Sequence, residues 1–171
     1  MSIKEATQDL HTELESVPFN QRMFRGEQTA SERKSYILGW QVIFQALDKQ
    51  VPKFLQRSEQ IEKDLLSLKD VDGHAADAVY EYASSIRHSN TPSAHIYLNY
   101  MGFLYGGQIM RKRYPDTSAL YDFIDLDYCR TYIRENHVFA EHEFYVKEVS
   151  SAFRWHIEIS KQLGNMFLVD K

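Results

Sequence analysis

Apolar residues recur every three to four positions along most of the chain, and no stretch alternates in the manner of a half-buried strand. The spacing predicts a first helix over residues 2–16, with Ile3, Leu10, Leu14 and Val17 along one stripe. A second is expected over 31–50, with Ser31 as N-cap, an apolar set of Tyr36, Ile37, Trp40, Ile43, Phe44 and Leu47, and Pro52 beyond its end. Shorter helices are expected over 59–69 and 74–88. Thr91-Pro92-Ser93 then opens a long helix to about residue 113, since proline is tolerated in a first turn. Helical spacing resumes over 118–144 with one break, and again over 146–163, where Gly164 would serve as C-cap. There is no repeat and no linker. The expectation is an all-α fold, a single domain over 1–171.

Within the long helix, three glycines interrupt an apolar and aromatic run, His95-Ile-Tyr-Leu-Asn-Tyr-Met-Gly-Phe-Leu-Tyr-Gly-Gly-Gln-Ile-Met110. A glycine inside a helix costs roughly 1 kcal/mol relative to alanine, so Gly102, Gly106 and Gly107 call for a reason. Gly102 and Gly106 share a face, while Gly107 lies about 100° further round. A flat ligand against that face would account for them. So would a close helix crossing, or a helix that ends at the glycine pair.

His11 flanks the stripe formed by Leu10 and Leu14, at the border of the core. Neutral imidazole is a common iron ligand when an acceptor orients its second nitrogen. Glu15, one turn on, can supply that acceptor. By position alone, a histidine here is more often a satisfied border residue than a ligand.

Composition narrows the classes. The chain has 171 residues, 43% hydrophobic and 26% charged, with a formal charge of −4. That describes an ordinary globular protein with little to gain from phosphate contacts, so nucleic acid is not an expected partner. Cys129 stands alone, which excludes an intrachain disulfide and a thiolate cluster. No run of eighteen apolar residues occurs, the N-terminus does not read as a signal peptide, and no apolar tail closes the chain. No membrane association and a cytoplasmic location are the expectations.

Taken together, the His11 segment and the glycine segment resemble the heme oxygenase family. The run from residue 3 to 26 is similar to that family's first helix and following turn. His11 falls on the proximal heme ligand and Glu15 on the glutamate that hydrogen-bonds to it. The stretch 95–108 is similar to the distal helix, with Tyr97, Tyr100, Gly102, Gly106, Gly107 and Gln108 in register. Lys4 matches a basic residue that faces the heme propionates, and Arg130 and Arg134 resemble the basic pair that closes over them. Phe153, in Ala-Phe-Arg-Trp-His-Ile, fits the last helix.

The resemblance implies a compact helical bundle with heme between the first helix and a kinked distal one. It implies His11 as the metal ligand and Gly102, Gly106 and Gly107 as bare backbone over the other face of the heme, which is both cofactor and substrate. The implied reaction opens heme to biliverdin, releasing CO and iron. It uses O2 and electrons from an external donor such as ferredoxin or a flavoprotein reductase. Tyr97 joins Lys4, Arg130 and Arg134 as propionate contacts.

The pattern also departs from the family. Phe103 follows the first distal glycine where the family usually has an aspartate that holds water near the iron-bound oxygen, and a phenyl ring makes no such bonds. Asn99 and Gln8 replace an arginine and a lysine. Tyr105, Asn99 or another polar group would then have to organise the water. Phe103 therefore keeps a second reading open, a heme carrier or sensor without ring opening. A third is a di-iron oxygenase using His137, Glu141 and His142, although no second carboxylate–histidine set is found and a solvated helical face explains the cluster.

Overall fold

The computed structural model of the chain describes residues 1–168. The expectation that no apolar anchor closes the chain concerns in part residues 169–171, which lie outside the described residues. Among the described residues the regular elements are all helical.

The predicted first helix is two, and a further one follows it. Ser2 and Glu5 form a reciprocal capping box for α1 (Ile3–Ala6). Thr7 ends it by donating its hydroxyl to the Ile3 carbonyl at 2.8 Å, and α2 (Gln8–Ser16) follows. A third piece, α3 (Pro18–Phe24), has proline in its first turn, where a missing N–H costs nothing. The sequence reading expected only a turn there. The second predicted helix, α4 (Ala30–Leu47), is capped by Thr29 rather than Ser31. Thr29 and Glu32 have the capping-box spacing, so Thr29 satisfies the Glu32 N–H while Glu32 reaches back.

After a 3-10 turn over Asp48–Gln50 come α5 (Ser58–Ser67) and α6 (Asp77–Arg87). The predicted long helix is two, α7 (Pro92–Leu104) and α8 (Gly106–Arg113), broken at Tyr105. Residues 114–125 hold only 3-10 turns, so the helix expected from 118 begins later, as α9 (Leu126–His137). The last helix, α10 (Glu143–Phe167), runs through Gly164 instead of stopping there. Gly164 is buried against Phe19, so its small size serves the packing of α10 on α3. Leu168, in the left-handed region at φ 56°, takes the C-cap position.

Helix α10 is the spine, touching α2, α3, α4, α6 and α7. The main core gathers Phe19, Ile37, Phe44, Leu47, Tyr100, Leu104, Ile133 and Leu163. Each such side chain gains about 1.5–3 kcal/mol from burial. A smaller cluster of Ile3, Ala94, Tyr145, Val149 and Phe153 takes in Leu10 and Leu14 from α2 and Tyr97 and Leu98 from α7. This second cluster joins the N-terminal helices to α7, and it fixes how the two histidine- and glycine-bearing segments sit.

Candidate functional site

Leu10 and Leu14 hold α2 against the core, and this turns His11 to the border. Its side chain is 48% exposed, and Nε2 lies 3.2 Å from a Glu15 carboxylate oxygen. The ring meets Phe153 of α10 at a centroid distance of 5.9 Å and a tilt of 54°. Nε2 thus has an acceptor in Glu15, and Nδ1 lies outside that pair.

The three glycines divide by environment. A Cβ built on Gly102 or Gly106 meets nothing within 4 Å. A Cβ on Gly107 would stand 2.6 Å from Tyr121 Cδ1. Gly107 therefore lies against a packed ring, whereas the sequence reading grouped it with the bare distal backbone. Its turn away from the shared face follows from the 100° step between neighbouring helical residues.

Phe103 also faces inward. It is 3% exposed, with its ring centroid 4.7 Å from Trp40, 4.9 Å from Phe44 and 4.9 Å from Tyr121. Its side chain fills the core behind the glycine face.

The break at Tyr105 leaves carbonyls without helical partners, and side chains take them. Gln108 Nε2 donates to the Phe103 and Tyr121 carbonyls at 3.1 and 2.9 Å. Arg130 Nε donates to the Leu104 carbonyl at 3.2 Å, and its guanidinium lies 4.2 Å from the Tyr105 ring centroid. Arg134 donates to the Tyr105 hydroxyl. The basic pair of α9 thus converges on the residue between Gly102 and the Gly106-Gly107 pair. Tyr97 is partly buried in the smaller cluster, and burial raises its phenol pKa. Lys4 is exposed on α1.

A set of polar residues, buried except for the part-exposed Glu148, went largely unread in the sequence. Tyr82 of α6, His95 and Asn99 of α7, and Glu148 and His156 of α10 are joined by hydrogen bonds of 2.7–3.0 Å. His95 is 0% exposed. His156 carried only one signal, its place one turn after Phe153. Burial holds His95 below the ordinary imidazole range against the pull of Glu148, and it takes His156 down to about 3, assisted by His95. Burial pushes the Glu148 carboxyl up, but hydrogen bonds from His95 and Ser89 outweigh it and hold the group below the usual range.

The cluster at 137–142 is not a helical face. His137 ends α9, and residues 138–142 form a turn before α10. His137 Nδ1 pairs with the Ser93 hydroxyl at 2.9 Å. Among the described residues no group of three or more His, Cys, Asp and Glu side chains is placed to hold a metal ion, so the di-iron alternative has no assembled site. No helix among them is long and apolar enough to cross a membrane. A concavity of about 410 Å3 lies elsewhere, lined by residues that include Lys53, Phe54, Arg57 and Asp122. Arg57 there already donates to the Leu55, Leu120 and Asp122 carbonyls. None of the site residues above lines it.

Comparison with known proteins gives one direction. The family model described as heme oxygenase matches residues 1–162. Chicken (Gallus gallus) heme oxygenase 1 is 26% identical over 133 residues, covering 64% of this chain and 45% of that protein, so the chain spans under half the length of this curated relative. Among solved structures, heme oxygenase-1 from the cyanobacterium Synechocystis, in complex with heme, superposes with a TM-score of 0.79 at 21% identity. That match covers 96% of this chain and 92% of the other. The heme oxygenase of Leptospira interrogans gives 0.80 at 17% identity, covering 94% and 98%. At these identities the structural likeness speaks for the fold.

Proposed function

Because the chain belongs to the heme oxygenase family, we propose that it binds one heme between α2 and the α7–α8 segment and opens the ring to biliverdin, with release of CO and iron. The observation that carries this reading is the pairing of a half-exposed, carboxylate-oriented His11 with two glycines whose outer face is free of side chains. A bulky planar ring needs such a face, and a Cβ built at either glycine meets nothing within 4 Å. Heme, when bound, supplies the iron that takes up O2 and is itself the ring consumed; electrons come from an external donor such as ferredoxin or a flavoprotein reductase.

The protein's own part is placement. His11 would hold the iron through the nitrogen that Glu15 does not engage, and Glu15 would accept from the other and fix the ring's orientation. Gly102 and Gly106 let main chain approach the opposite face. Gly107 and Phe103 serve that approach from behind, because their packing on Tyr121, Trp40 and Phe44 sets the height of the backbone. Lys4, Tyr97, Arg130 and Arg134 hold the propionates, with Tyr105 keeping the two arginines together.

Stoichiometric hemin added to the protein under air, with a chemical reductant, should lose its Soret band and yield a bilin spectrum. A Soret band that survives repeated reduction points to the second reading, a heme carrier or sensor. The observation favouring that alternative is Phe103, whose buried ring offers no polar atom to a distal water.

A further inference from the structure

Tyr82 sits at the centre of the buried polar residues, and its hydrogen bonds leave it one direction in which to lose a proton. Asn99 Nδ2 lies 2.8 Å from the His95 carbonyl, which can only accept, so the amide orientation is determined. The second Nδ2 hydrogen goes to the Tyr82 hydroxyl at 3.0 Å, and Asn99 Oδ1 accepts from His156 Nε2 at 2.7 Å. Tyr82, having accepted, donates to His95 Nδ1 at 2.9 Å, and His95 Nε2 donates to a Glu148 carboxylate oxygen at 2.8 Å. Glu148 also accepts from the Ser89 hydroxyl at 2.8 Å, and its side chain is 29% exposed. A phenol, an imidazole and a carboxylate thus lie in line from the core to the surface.

The other fully buried tyrosines lack this outlet. Tyr121 OH has no partner, and Tyr145 donates to the His137 carbonyl, which cannot take the proton. Tyr100 donates to Asp48, but that carboxylate is buried and already accepts from the Arg57 and Ser58 N–H groups and the Ser58 hydroxyl. Burial pushes the Tyr82 phenol well up, so it does not ionise by itself. Losing an electron and a proton together avoids that cost, because neither Tyr82 nor His95 ends up charged. Rings connect the same phenol to both sides of the molecule. Tyr82 stacks on the half-buried Trp155 at a centroid distance of 6.2 Å and an angle of 22°. Inward, Tyr82 lies 5.2 Å from His156, His156 lies 5.1 Å from Trp40, and Trp40 lies 4.7 Å from Phe103, the residue after Gly102. Only the thickness of one helix, about 10–12 Å with side chains, separates that end from the glycine face.

We propose that Tyr82 is a redox-active tyrosine, a sink for the oxidising equivalent formed when peroxide meets bound heme. The peroxide source rests on the heme reading above; the chemistry at Tyr82 does not. Tyr82 gives up one electron by way of Trp40, while its phenolic proton moves to His95 Nδ1 and the His95 Nε2 proton moves to Glu148. The products are a neutral tyrosyl radical, a neutral imidazole of the other tautomer and a carboxylic acid. The only change of charge falls on Glu148, the part-exposed member of the line. Hydrogen peroxide, on breaking its O–O bond, takes two electrons and two protons to become two waters. Tyr82 supplies one electron, the heme iron the other, and solvent the protons. A one-electron reductant in solution, such as ascorbate, refills the site through Trp155, and Glu148 returns the proton along the same line.

Two measurements test this on Tyr82→Phe, which keeps the ring, and on Glu148→Gln, which keeps an acceptor but is far less basic. Far-UV circular dichroism checks that each variant is folded. In the heme-free protein, azide radicals made by pulse radiolysis oxidise tryptophan, and in the parent the tryptophanyl absorbance should decay into tyrosyl absorbance. Tyr82→Phe should lose that conversion, and Glu148→Gln should slow it. In the hemin-loaded protein, frozen soon after hydrogen peroxide is added, electron paramagnetic resonance should show a tyrosyl signal in the parent and a tryptophanyl one in Tyr82→Phe. If Tyr82→Phe converts as the parent does in the heme-free protein, or the parent does not convert at all, the proposal is overturned and the heme reading is untouched. A tyrosyl radical formed by radiolysis but not by peroxide overturns the role as a sink. Hemin that fails to bind the parent overturns the heme reading, and that role with it.

Discussion

The two sides of the α7–α8 segment are built on opposite terms. On one side Gly102 and Gly106 face space in which an added Cβ touches nothing. On the other, Asn99, Tyr100, Phe103 and Gly107 are buried, and a Cβ at position 107 would collide with Tyr121. The same residue type is thus used twice, once to keep a surface bare and once to let a ring come close. Stability resides on the packed side, and the capacity to take a ligand resides on the open one. Substitutions should separate the two.

The largest expected effect comes from Phe103→Asp, the change that would place the family's acidic residue after the first distal glycine. Removing the ring alone costs about 3–5 kcal/mol, and an unpaired carboxyl among Trp40, Phe44 and Tyr121 adds to it. Urea unfolding should show a loss of at least that size. A near-neutral result would mean that position 103 belongs to the open side and that the contrast is drawn wrongly.

Next comes Gly107→Ala, where overpacking against Tyr121 should cost about 1–3 kcal/mol. Acid should weaken the packed side by a comparable amount. His95 and His156 are held neutral in the folded protein, His156 down to about 3, against an ordinary value of 6.5. Below 6.5 the unfolded chain takes up protons that the folded one refuses. Stability is therefore full above that pH and falls as pH drops, by up to about 1.4 kcal/mol per pH unit for each such group. Denaturant titrations at pH 7 and pH 5 check this, and the slope should diminish in His156→Leu once the variant's own loss of packing is set aside.

On the open side the sign reverses. Gly102→Ala should stabilise the protein by about 0.5–1 kcal/mol through helix propensity, while weakening hemin binding in a spectrophotometric titration. The smallest change in stability belongs to His11→Ala, within about 0.5 kcal/mol, because the residue is half-exposed and its ion pair with Glu15 is weak. The same substitution should remove the histidine-ligated heme spectrum. If that spectrum persists, His11 is not the ligand.

Much of this arrangement was legible in residue order. Helical spacing identified α4, α5, α6 and α10 to within a few residues, and the pairing of His11 with Glu15 is a local matter of one helical turn. The continuity of the helices was less legible. At the breaks side chains bond to main-chain carbonyls: the Thr7 hydroxyl shares the Ile3 carbonyl with the Thr7 N–H, and Gln108 and Arg130 take the Phe103 and Leu104 carbonyls. Conversely, α10 passes through Gly164 because Phe19 packs there.

Local periodicity and capping thus determined an all-helical chain, the pairing of His11 with its carboxylate, and a glycine face on the distal segment. These depend on neighbours within a few residues, whose geometry is the same in any helix. Tertiary structure alone decided that Phe103 points inward, that Gly107 accommodates Tyr121, and that His95, Tyr82, Asn99, His156 and Glu148 form one directed set. Those facts depend on which helices meet and at what rotation. Contacts between residues 57 positions apart, such as Asn99 with His156, leave no periodic trace in the order of the amino acids.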